Sequence, residues 1–188
     1  MNQEHHARRA AFFPRLACLA ALACLLALTA VPAVAQPPEQ ARQPDEATLV
    51  VMMDAVIKYY DETRPSDGRI VGMLQAHEKD KDSAEYKKLR FLFDTHQKVT
   101  TSLNNLIDIL YISLKLGRTD DAEVNQYIYG RSKNIITFLN NMVYFLTARN
   151  QEIELPAASD VQKLYETYLV RLTTLLYELN KSLAHFQK

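Results

Sequence analysis

From Leu49 to the end of the chain, apolar residues recur every three or four positions, the spacing that lays one stripe along an α-helix. Leu49, Met53, Val56 and Tyr60 open the first stripe, and Asp45, just behind Pro44, is a suitable N-cap. Pro65-Ser66-Asp67-Gly68 should interrupt it, yet the same count carried across the interruption lands on Ile70, Leu74 and His77. The first element is therefore one helix over 45–79 kinked at Pro65, or two short helices joined by a turn.

A second stripe, Leu89, Leu92, His96, Val99, Leu103, Leu106 and Leu110, belongs to a helix over 83–117. Asp82-Ser83-Ala84-Glu85 resembles a capping box at its start, and Gly117 is a natural stop. The third stripe, Val124, Ile128, Ile135, Leu139, Met142 and Leu146, predicts a helix over 120–149 opening at Thr119 or Asp120. Gly130 lies inside it, and close packing against a neighbour is expected to offset its cost. The fourth runs through Val161, Tyr165, Tyr168, Leu172, Leu175, Leu179 and Phe186 over 157–187, with Ser159 as N-cap and Gln162 three residues on. No stretch shows the alternation of a half-buried strand. The connections are too short to cross the molecule, so residues 45–188 should form an antiparallel, up-down-up-down four-helix bundle.

The N-terminus follows a different pattern. Arg8, Arg9 and Arg15 precede an almost purely apolar run from Leu16 to Val31, and Ala33-Val34-Ala35 ends it. This is the three-part pattern of a secretory signal peptide over 1–35. The run is short for a membrane span and Pro32 closes it. Residues 36–44, Gln-Pro-Pro-Glu-Gln-Ala-Arg-Gln-Pro, form a polar tether with nothing to bury. The expected product is an exported protein, periplasmic or secreted, with no stable membrane span once the signal is removed.

Removing that segment changes the chemistry. Of 22 basic and 22 acidic side chains, 19 and 21 remain, so neutrality becomes slight acidity and no electrostatic case for nucleic acid survives. Cys18 and Cys24 go with it, leaving no disulfide, thiol nucleophile or thiolate ligand. The remaining chain has no Gly-rich phosphate loop, nucleophile elbow or His-Glu-x-x-His. Three positions before His77, His96 and His185 stand Leu74, Phe93 and Ser182, so the Glu-x-x-His of carboxylate-bridged di-iron bundles is missing. The sequence predicts no catalytic residue, metal ligand or resident cofactor, and hence not an enzyme. His96, between Leu92 and Val99, is either a ligand or pH switch, or a core-edge residue bonded to a neighbouring Thr or Tyr.

In the predicted topology the start of the first helix shares a level with the end of the fourth, so Met52 or Met53 could face His185. An exported four-helix bundle with an N-terminal Met and a C-terminal His resembles the cytochrome b562 plan. That resemblance implies haem b ligated by Met53 and His185, the alternative to a protein-binding role.

The remaining signal is surplus apolar surface. Ile109, Ile112 and Leu116 form a second stripe on the second helix, and Leu49, Val50, Val51, Met52 and Met53 are apolar all round the first. If these helix ends adjoin, Val51, Met52, Ile109, Ile112 and Leu116 form a patch for a protein partner or a homodimer. Tyr59, Tyr111, Tyr129, Tyr144 and Tyr177 lie off the inward rows, where amphipathic aromatics suit interfaces.

Overall fold

The computed structural model describes residues 46–116 and 122–187. The expected signal peptide and tether, Asp45, Gly117, Thr119 and Asp120 lie outside the described residues. Four helices follow in order: α1 (Glu46–Ala76), α2 (Ala84–Leu116), α3 (Ala122–Glu152) and α4 (Asp160–Leu183), the last running into a 3₁₀ turn, Ala184–Gln187. Each helix packs on two neighbours, in the ring α1, α2, α3, α4 and back to α1, and α2 also touches α4 across the middle.

Cross-helix contacts give the direction of two of the pairs. Tyr60 meets Asn104 while Asp67 meets His96, so α1 and α2 run antiparallel. Tyr165 bonds Leu146 and Asn180 bonds Asn140, which sets α4 against α3. The architecture is an up-down-up-down four-helix bundle.

The core is a continuous column of Leu, Val, Ile, Met and Tyr from all four helices, including Met52, Val56, Leu92, Leu103, Leu139, Leu146, Tyr165 and Leu172. The stripe on α2, with His96 half-buried, and that on α4 from Val161 to Leu179 face inward as expected; the side chain of Phe186 lies outside the described residues. On α1 and α3 most of the stripe is buried as expected, at Leu49, Val56, Ile70, Ile128, Leu139, Met142 and Leu146, and single positions shift by one. Met52 and Tyr59 are buried while Met53 and Tyr60 are half-buried, and Ile136 is buried while Ile135 is half-buried. A three-four spacing leaves two neighbouring residues nearly equal claims to the seam, and the position of the adjacent helix selects between them.

Of the two readings at Pro65 the single helix holds: α1 continues through Pro65, Ser66, Asp67 and Gly68. Proline removes one N–H and crowds the carbonyl four residues before it. The carbonyl left without its helical donor is that of Asp61, and at the next residue Arg171 Nη1 of α4 donates to the Glu62 carbonyl oxygen, tying α4 to this turn. Thr63 adds its hydroxyl, donating from Oγ1 to the Tyr59 carbonyl at 2.8 Å.

The caps differ in detail from the sequence reading. At α2 the cap is Ser83, whose Oγ accepts the Tyr86 amide at 3.2 Å. At α4, Ser159 holds the N-cap position without a side-chain cap bond. Gln162 is drawn inward instead, to Lys88 and Asn150. Gly130 has no atom within 4 Å of where a Cβ would stand, so the expected close packing is absent.

Candidate functional site

Eighteen residues make about five helical turns, so residues that far apart share one face. Ile109 lies eighteen after Phe91, whose ring meets the Arg149 guanidinium of α3 at 5.5 Å. Ile112 and Leu116 lie eighteen after Asp94 and Lys98, which line a groove shared with Phe138 of α3. All three apolar residues therefore sit on the α3 flank of α2. Val51 lies eighteen before Arg69, in the groove between α1 and α4.

The expected single patch at the junction of α1 and α2 is thus divided. Val51, Ile112 and Leu116 are 52%, 54% and 58% exposed, but on different sides of the bundle. Met52 is 0% exposed and belongs to the core, which removes it from any partner surface. Ile109 is half-buried.

A second stripe, on α3, was not read from the sequence. Tyr127, Phe138 and Phe145 are exposed and spaced by eleven and seven residues, about three and two turns. Phe138 borders the α2–α3 groove of about 570 Å³, whose α2 wall is polar, formed by Asp94, Gln97, Lys98, Thr101 and Ser102, and the aromatic row lies on the same α2–α3 flank as Ile112 and Leu116. The signal was present in the spacing: each of the three stands one position before a core residue, Ile128, Leu139 and Leu146, so the row flanks the core stripe. Among the expected interfacial tyrosines, Tyr111, Tyr144 and Tyr177 are exposed, whereas Tyr59 and Tyr129 are buried.

The other unusual feature is a polar centre. His96 is half-buried, with Nε2 at 3.1 Å from Asp67 Oδ1 and its ring edge-on to Tyr168 at 5.6 Å. That contact favours the neutral tautomer carrying its proton on Nε2. Nδ1 is then an acceptor, and it is buried without a partner, as are Thr100 Oγ1, Tyr59 Oη and Tyr168 Oη. The two tyrosine hydroxyls lie near one another without a well-formed hydrogen bond. Burial pushes both phenols above their usual range and pushes His96 below its own, with Asp67 partly opposing the latter. Tyr60, at the edge, bonds the Thr100 carbonyl and Asn104 Oδ1, and burial pushes it up to about 12. A groove of about 400 Å³ lined by Asp67, Val71, Phe93, His96 and Thr100 leads to this centre.

No family model, curated protein or solved structure matches the chain. Function is therefore argued from these surfaces alone. The polar centre offers two of the residue types that ligate metals, His96 and Asp67, and no group of three such residues occurs among the described residues.

Met53 and His185, the pair implied by the cytochrome b562 resemblance, sit apart from any groove described above. Met53 is half-buried on α1, and His185 is exposed in the 3₁₀ turn. Leu49, Met52, Leu110 and Leu179 fill the interior at that end, and a haem would have to displace them. No helix among the described residues is long and apolar enough to cross a membrane.

Proposed function

We propose that this is an exported, non-catalytic helical-bundle protein that works by association through helix faces, with a second copy of itself or another protein. The observation that carries the reading is the α2–α3 face. Ile112, Leu116, Tyr127, Phe138 and Phe145 are exposed large apolar side chains aligned along neighbouring helices. Isolated apolar residues on a surface are ordinary, whereas a row of this length, rich in aromatics, has the composition of an interface centre. Export rests on the charged, apolar and small-residue succession over 1–35.

Sedimentation velocity over a rising concentration series, with crosslinking and mass spectrometry in the exported fraction, tests both parts. Association should weaken in Ile112→Asp while the helical content stays unchanged. A strict monomer that captures no partner would remove the reading. Export is tested separately, by whether the isolated protein begins at Gln36.

A further inference from the structure

A groove of about 250 Å³ lies between α1 and α4 beside Pro65, on the side of the bundle away from the α2–α3 face. Arg69, Lys163 and Arg171 border it with the hydroxyl residues Ser66 and Thr167, and no carboxylate lines it. Lys163, Thr167 and Arg171 are spaced by four along α4, so they stand one above another on a single face. Arg69 reaches the same hollow from α1.

These cations are sparsely neutralised. Lys163 has Asp160 at 3.6 Å, but both side chains stand largely in water, where such a pair is weak. Arg69 makes no ion pair among the described residues. Arg171 is anchored, since its Nη1 donates to the Glu62 carbonyl and lies 3.4 Å from Ser66 Oγ. A guanidinium carries five N–H donors, and these contacts engage one nitrogen, so the fork stays available while its position is held. Three like charges around one hollow repel each other, and a bound anion reverses the sign of that energy.

We propose that this groove binds a phosphate group, clamped by Arg69, Lys163 and Arg171. A phosphate monoester carries close to two negative charges at neutral pH and several acceptor oxygens, which suits three cations better than a single carboxylate does. The phosphate can be free or carried on a lipid headgroup, and the chemistry of recognition is shared. The proposal is independent of the α2–α3 association, because it rests on other residues and another pair of helices.

The test is a titration of the isotope-labelled protein with inorganic phosphate at constant ionic strength, followed by amide chemical shifts. Saturable shifts should be confined to residues near 65–69 and 163–171. Arg69→Gln removes one charge-assisted contact and should weaken binding about tenfold. Arg64→Gln removes an exposed charge from the same helix outside the groove and should leave the affinity unchanged. Pelleting with phosphatidylcholine vesicles containing phosphatidic acid, lost in Arg69→Gln, assigns a lipid headgroup as the source. Phosphate binding without pelleting assigns a free phosphate. Absence of saturable shifts, or equal weakening by Arg64→Gln, overturns the proposal.

Discussion

Lys88 has the most demanding environment of any single residue. It is fully buried, and Nζ donates to the Ile153 carbonyl at 2.7 Å and to Gln162 Oε1 at 2.5 Å, beneath the Tyr165 ring at 5.0 Å. Burial pulls its pKa below the usual lysine range, and Glu166 and Glu154 only partly restore it. The contacts tie α2 to the α3–α4 connection. Lys88→Ala removes the stem and leaves two acceptors unpaired, and should cost about 2–4 kcal/mol in urea unfolding. Lys88→Met keeps most of the stem's volume and should cost clearly less; equal losses would show that packing contributes little. His96 supplies a second prediction at this scale. Its folded pKa lies below the unfolded value of about 6.5, so the unfolded chain takes up the proton first as pH falls. Stability should therefore decline from about pH 6.5 downward, until the folded-state histidine is itself protonated. His96→Asn should flatten that decline, and an unchanged slope by circular dichroism would locate the acid sensitivity elsewhere. Neither role was legible in sequence. A lysine between Lys87 and Leu89 reads as surface, and the inward position of His96 left open whether it was ligand, switch or core edge.

Among the elements, α1 and α3 each tolerate a residue that helices disfavour, for different reasons. Pro65 costs the helix a hydrogen bond, and Arg171 supplies a donor to the adjacent Glu62 carbonyl. Pro65→Ala should stabilise α1, by up to about 3 kcal/mol. Arg171→Ala should then cost less in the Pro65→Ala background than in the parent, and a double-mutant cycle with no coupling would dissociate the two. Gly130 has open space around it, so no packing explains its presence. Gly130→Ala should raise stability by up to about 1 kcal/mol, read as a higher thermal midpoint. A loss would mean that the methyl meets something the structure does not place there. Both outcomes bear on what sequence reading can do with breakers. Proline and glycine mark where a helix is weak, but whether it ends there depends on what another helix provides at that point.

At the scale of the molecule, the bundle exposes apolar residues on more than one side. Ile112, Leu116, Tyr127, Phe138 and Phe145 fall on the α2–α3 face, whereas Val50, Val51, Ile57, Val71, Val170 and Tyr177 are exposed on α1 and α4, Val51 on the α1–α4 side. This placement separates two charge-introducing variants that are alike in chemistry. Leu116→Glu should weaken self-association or partner capture, and Val51→Asp should leave it unchanged, with both proteins keeping near-wild-type thermal midpoints because both side chains are more than half exposed. If Val51→Asp had the larger effect, the working face would be the other side of the bundle.

The sequence by itself determined the four helices, the antiparallel order of their packing and most of the inward stripes on α2 and α4, because helical periodicity and short connections are local properties. It also singled out Ile112 and Leu116 as surplus to the core, and both are exposed. Tertiary structure decided which of two adjacent residues entered the seam, burying Met52 and Tyr59 in place of Met53 and Tyr60. It carried α1 through Pro65, buried Lys88, and set Val51 and Ile112 on different sides of the bundle. Each of these depends on the rotation of one helix against its neighbours. A stripe specifies that rotation only to within about one residue, roughly 100° of arc, and the neighbouring helices select within it.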